Sequence, residues 1–176
     1  MPPHCDTMDG PVVKAAVKAL ETGDVTLILP YVPQSGEGEV TQAFQKVIQV
    51  RKGDAVARQV ADLYFFETVV RVHRMGEGAP YTGLKPAGLD VGPVIPVAEE
   101  AIATGSPDAL LDLLSNVVRT EVKRRFEHMM HLKEHAGRGV EEAREYVSAM
   151  LGLQVYSHGL YEYVKSEPHA GHHEHG

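Results

Sequence analysis

The chain has 176 residues, enough for one compact domain or for two small halves that share a core. Its 43% hydrophobic and 23% charged residues are ordinary for a globular protein, and no apolar run approaches the ~20 residues a membrane helix needs. A formal charge of −7 argues against nucleic acid as the main partner, and a single cysteine excludes an intrachain disulfide, so the fold must rest on packing.

The chain opens Met-Pro-Pro-His-Cys-Asp, without a basic n-region or an apolar h-region, so as written it carries no export signal and the cytoplasm is the expected location. Asp9-Gly10-Pro11 predicts a helix start, with a capping carboxylate and a proline where its missing N–H costs nothing. Val12, Val13, Ala16, Val17 and Leu20 form its apolar stripe, which ends at Gly23. Asp24 caps a short second helix carrying Val25, Ile28, Leu29 and Val32, and Pro30 kinks or ends it. After the Gly36 to Gly38 break, Val40, Phe44, Val47 and Ile48 predict a third helix. A fourth, over roughly 54 to 75, carries Val56, Val60, Leu63, Phe66 and Val70 on one face.

At one constant offset, Gly10, Pro11, Val12, Ala16, Ala19, Thr22, Gly23, Leu29, Glu39, Val40 and Phe44 reappear as Gly92, Pro93, Val94, Ala98, Ala101, Thr104, Gly105, Leu111, Glu121, Val122 and Phe126. The second half therefore repeats the plan, with helix starts at Gly92-Pro93, Ser106-Pro107 and about Gly139. Asp112 replaces Pro30 there, so its helix is free to run on. No alternating strand pattern of useful length is present. The expected architecture is all-α: an internally duplicated helical bundle with pseudo-twofold halves. Residues 1–9 form an N-terminal motif. Residues 10–165 form a single helical domain of two repeats, 10–75 and 92–165, joined by a Gly- and Pro-rich loop at 76–91, and residues 166–176 form a His-rich tail. Long loops of this kind in compact domains are often functional.

Features found in only one half are where chemistry is best sought. His4, Cys5 and Asp6 put an imidazole, a thiol and a carboxylate on consecutive residues ahead of a helix N-terminus, whose dipole favours a thiolate. Thiolate with imidazole suits Zn, Cu, Ni or Fe better than Mg or Ca. His73 lies on the face of Leu63, Phe66 and Val70, and His158 takes the corresponding place in the second half if three residues are inserted. The two histidines are therefore candidates to complete a metal site, and equally candidates for hydrogen-bonded core residues.

Glu67, Arg71 and Arg74 share a helix face, as a salt-bridged ridge or, with Lys85 and the Tyr81 hydroxyl, as a pocket for a carboxylate or phosphate. His128, His131 and His135, with Glu127 and Glu134 alongside, have a spacing able to hold a metal on a helix surface. The repeat partners of the first two, Lys46 and Gln49, instead mark a solvent-facing side. His169, His172, His173 and His175 form a tract of the type that binds Ni, Cu, Co or Zn loosely.

Three strings resemble those of an uncharacterised bacterial family of unknown function: His4-Cys5-Asp6-Thr7-Met8-Asp9-Gly10-Pro11-Val12-Val13, Tyr64-Phe65-Phe66-Glu67-Thr68-Val69-Val70-Arg71-Val72-His73-Arg74, and Gly76-Glu77-Gly78-Ala79-Pro80-Tyr81-Thr82-Gly83-Leu84-Lys85-Pro86. The resemblance runs nearly the full length and implies no established activity; it implies that related proteins are exported. The opening His4-Cys5-Asp6 is also similar to nickel superoxide dismutase, a helical-bundle enzyme whose N-terminus wraps nickel with an imidazole and two thiolates. Asp9 stands where the second thiolate belongs, so that likeness implies a mononuclear site using His4 and Cys5 rather than dismutase activity.

The sequence thus leads to a transition-metal-binding helical protein with His4, Cys5 and Asp6 as its centre, redox-active if the metal is Cu, Ni or Fe, and with no motif that fixes a reaction. The alternatives are a binding protein for a small anionic ligand at Arg71, Arg74, Tyr81 and Lys85, and a structural or homo-oligomer-forming module.

Overall fold

A computed structural model describes residues 3–166, so the tail histidines His169, His172, His173 and His175 lie outside the described residues. The protein is all-α, and among the described residues the extended pairing is a single isolated bridge between Thr7 and Lys85. Among the described residues no helix is long and apolar enough to cross a membrane. The chain divides into two compact units, residues 1–92 and 93–176.

In the first unit, α1 (Pro11–Thr22), α2 (Glu37–Val50) and α3 (Ala55–Gly76) surround the buried core. Pro11 opens α1, and Gly23 closes it in the left-handed conformation with φ 73°, which a glycine adopts without strain. Between α1 and α2 the chain makes three short 3-10 turns at Val25–Leu27, Leu29–Tyr31 and Gln34–Gly36. Pro30 and Pro33 lack the N–H groups an α-helix would use there. Asp24 caps the first turn, accepting from the Thr26 N–H at 2.9 Å, and Ile28 reaches the core.

Val12, Val13 and Ala16 from α1, Val40, Phe44 and Val47 from α2, and Phe65, Val69 and Val72 from α3 make up most of that core. Phe44 and Phe65 meet as tilted rings with centroids 5.7 Å apart. Arg51 fastens the far end: it donates to the Leu20 carbonyl at 2.6 Å and pairs with Asp62 at 2.7 Å.

The face of α3 differs from the sequence expectation. Val56, Val60 and Leu63 are exposed, whereas Phe66 and Val70 of the expected stripe are buried, together with Ala61, Phe65, Thr68, Val69 and Val72. Ahead of Phe65 only Ala61 of this helix is buried, and from Phe65 onward the adjacent stripes of Phe65 and Phe66 both face inward. Glu67 is exposed and forms no ridge with Arg71 and Arg74, which bond elsewhere.

The second unit contains α4 (Val94–Thr104), α5 (Asp108–Lys133) and α6 (Val140–Lys165). With no proline in its path, α5 runs unbroken for 26 residues, and α6 packs along it after the turn at 134–139, so the two are antiparallel. Gly105 ends α4 with φ 71°, as Gly23 ends α1. Met129 is the buried hydrophobic residue of this unit among the described residues, and Arg125 lies 4.0 Å from the centre of the Tyr156 ring. The buried cluster is built from residues of the first unit.

Candidate functional site

The N-terminal motif is folded onto the first unit by a set of specific bonds. His4, Cys5 and Asp6 lie in a 3-10 turn, Pro3–Asp6, that leads into α1. Asp6 is buried and accepts from Arg74 Nε of α3 at 2.6 Å, each side chain being 5% exposed. Arg74 also pairs with Glu77 at 3.0 Å. The hydrogen bond to Asp6, and then the charges of Asp6, Glu77 and Cys5, hold the Arg74 guanidinium more firmly protonated than an ordinary arginine, against the opposing effect of its own burial. Breaking such a pair by removing one partner strands a charge in a dry place and costs about 3–5 kcal/mol.

The loop at 76–91 closes over the motif. Lys85 N–H donates to the Asp6 carbonyl at 2.8 Å and Met8 N–H to the Lys85 carbonyl at 3.0 Å, which makes the Thr7–Lys85 bridge. Gly88 N–H donates to the Asp9 carboxylate at 2.9 Å. That bond, with one from Thr7, holds the Asp9 carboxyl below the usual aspartate range. Asp9 therefore anchors the loop and does not cap α1, whose N-cap Gly10 makes no side-chain bond. Gly10 is required for another reason: a Cβ there would sit 2.0 Å from the His4 carbonyl oxygen. Tyr81 and Leu84 pack against the core. Burial first, and then the nearby charge of Glu67, push the Tyr81 phenol above its ordinary value.

Within this clamp His4 and Cys5 are half-buried, and Cys5 Sγ lies 3.7 Å from His4 Nε2 and 3.9 Å from Nδ1. Asp6, expected as a ligand or as a support behind the ligands, is bonded to Arg74 through Oδ1. His73 is half-buried, as its helix face suggests, with Nδ1 2.7 Å from the Tyr31 carbonyl and Nε2 3.4 Å from Glu77. His158 is exposed on α6 in the other unit.

Of the residues proposed as an anion pocket, the three cations are engaged with internal partners, and the buried Tyr81 hydroxyl has no hydrogen-bond partner among the described residues. Arg71 pairs with Glu39, Arg74 carries two carboxylates, and Lys85 Nζ donates to the Thr82 carbonyl at 3.0 Å. Sequence reasoning missed Thr7, Glu77 and Gly88 as parts of the clamp. No signal in the sequence pairs Asp6 with Arg74, because their partnership exists only once α3 is packed. The Gly- and Pro-rich character of 76–91 does mark the loop that covers the motif.

Neither the curated proteins nor the solved structures contain a match to this chain. A family of unknown function, DUF6448, matches residues 9–156, a stretch that takes in α1 through most of α6 and begins after His4-Cys5-Asp6. With most of its length matched in this way, the chain belongs to DUF6448, a family of unknown function.

Proposed function

We propose that the protein binds a late first-row transition metal through His4 and Cys5. The observation that carries this reading is the separation of 3.7 Å between Cys5 Sγ and His4 Nε2. Two ligands of one tetrahedral ion, with metal–sulfur about 2.3 Å and metal–nitrogen about 2.0 Å, stand roughly 3.5 Å apart. The pair therefore needs only a small side-chain adjustment to chelate. Asp6 serves as the positioning residue: its bond to Arg74 fixes the turn that carries both donors and leaves a cation beside the thiol.

A thiolate and an imidazole select Cu, Ni, Zn or Fe over oxygen-seeking Mg or Ca. Two protein donors leave coordination positions open, which suits an exchangeable ion or an added ligand, and makes the centre redox-active if the ion is Cu, Ni or Fe. The test is elemental analysis of full-length protein in which His169, His172, His173 and His175 are replaced by Asn, after growth with Ni, Cu, Zn and Fe. Metal content should fall by one equivalent on Cys5→Ser and on His4→Gln. Unchanged content in the Cys5→Ser protein refutes the assignment.

A further inference from the structure

We propose a second cation site, in the C-terminal unit, where His131, Glu134 and His135 at the end of α5 hold a divalent ion such as Cu²⁺, Ni²⁺ or Zn²⁺. It does not rest on the His4–Cys5 reading. One ligand atom from each of the three residues lies within 4.8 Å of the other two. The backbone makes this convergence. α5 is followed by further turns in which Glu134 N–H donates to the Met130 carbonyl at 3.3 Å and His135 N–H to the Leu132 carbonyl at 3.1 Å. His131 and His135 are therefore one helical turn apart on the same side, with ring centroids 5.1 Å apart and planes at 83°. Closing the set to about 3.3 Å, the edge of a tetrahedral site with nitrogen and oxygen ligands near 2.0–2.1 Å, requires only side-chain rotation. His131 and Glu134 are exposed and have room for it.

Two further observations favour a cation here. His135 Nδ1 is enclosed and has no hydrogen-bond partner among the described residues, a costly state for a buried polar atom that coordination relieves. The position is also the C-terminal end of a 26-residue helix, where the macrodipole is negative and attracts cations. Glu121 and Glu127 of the same helix are paired with Arg124, Arg125 and Lys123, whereas Glu134 enters no salt bridge among the described residues. Its charge is available to an ion.

Two imidazoles and a carboxylate are ligands for Zn, Cu and Ni rather than for Mg or Ca, and three donors leave a coordination position open. His128, a turn earlier, does not belong to the cluster. It lines a groove with Arg144 and Glu145 instead.

The site is tested in full-length protein that carries His4→Gln, Cys5→Ser and Asn in place of His169, His172, His173 and His175, so that neither the N-terminal pair nor the tail contributes. Titration with Cu²⁺ should saturate at one equivalent, and the electron paramagnetic resonance spectrum should carry hyperfine structure from two nitrogens. His131→Asn and His135→Asn should each weaken binding at least ~10-fold, the scale on which altered ligation is felt. Glu134→Gln should weaken it less, and His128→Asn should leave it unchanged. Circular dichroism confirms that the variants keep their helix content. Lack of saturable binding in the background protein overturns the proposal. So does a loss caused by His128→Asn while His135→Asn has no effect.

Discussion

Leu20 and Ile102 occupy matching places in α1 and α4, as Phe44 and Phe126 do in α2 and α5, yet their surroundings are opposite. Leu20 is 4% exposed and Ile102 82%; Phe44 is 7% exposed and Phe126 48%. Sequence likeness gave both units the same helix stops and much of the same apolar spacing, so the difference comes from the connection. In the first unit Pro30 and Pro33 break the chain into 3-10 turns, which lets α1 return to α3. In the second, Asp112 and Ser115 stand at those positions and α5 runs straight through. An apolar stripe becomes core only where a third element is brought back over it. The unit that has this core is the one onto which the His4-Cys5-Asp6 motif is fastened.

Truncating the core is the most forceful way to test this contrast. Phe65→Ala should cost about 3–5 kcal/mol, because it empties a site enclosed by three helices. Leu151→Ala on the open face of α6 should cost less than about 1 kcal/mol. Denaturant unfolding of both variants checks the pair, and equal costs would break the comparison. Next in size is the buried ion pair. Arg74→Met should destabilise by about 3 kcal/mol because it strands Asp6, and adding Asp6→Asn should recover part of the loss, as a double-mutant cycle would show.

The paired glycines sharpen the contrast. Gly10→Ala should cost about 1–3 kcal/mol by driving a methyl group into the His4 carbonyl. At Gly92 a methyl group meets no neighbour within 4 Å, and the cost of about 1–2 kcal/mol comes instead from φ of 77°. Thermal unfolding measures both, and only Gly10→Ala should disturb the nuclear magnetic resonance signals of His4 and Cys5.

The smallest effects are in titration. The Tyr81 phenol is raised, so the native state holds its proton more tightly than the unfolded chain. That contribution is complete below the ordinary tyrosine range and is lost as pH rises through the raised value. Ultraviolet difference spectra should show one phenol titrating late, and Tyr81→Phe should remove it. Asp9 is lowered, so its contribution is present above the ordinary aspartate range and is lost as pH falls through the lowered value. Asp9→Asn should flatten the acid limb of the stability profile slightly.

Much of the fold can be read from local chemistry. Gly23 and Gly105 as helix stops, Asp24 as a cap, Pro30 as a break and an uninterrupted α5 all follow from backbone geometry that each residue carries with it. The inward face of α3 does so only in part: Phe66 and Val70 are buried as their spacing predicts, whereas tertiary packing leaves Val56, Val60 and Leu63 exposed and buries Phe65. The site divides in the same way. The donor types of His4 and Cys5 are legible as chemistry, and their neighbourhood in sequence already brings them together. The pairing of Asp6 with Arg74 is not legible, since Arg74 is far along the chain and meets it only in the packed unit. Likewise, Glu134 stands next to His135 in the sequence, but its convergence with His131 depends on the helical turn continuing past Lys133.

The most direct test of the central claim uses the single cysteine as its own reporter. Full-length protein with the four tail histidines, His131 and His135 replaced by Asn is titrated with Co²⁺, and thiolate-to-metal charge transfer is followed in the near ultraviolet. A band that saturates at one equivalent, disappears in Cys5→Ser and weakens in both His4→Gln and Asp6→Asn is the result expected of a His4–Cys5 centre held by the Asp6–Arg74 clamp. Binding of Co²⁺ without that band would contradict the account, because the metal would then be held away from Cys5.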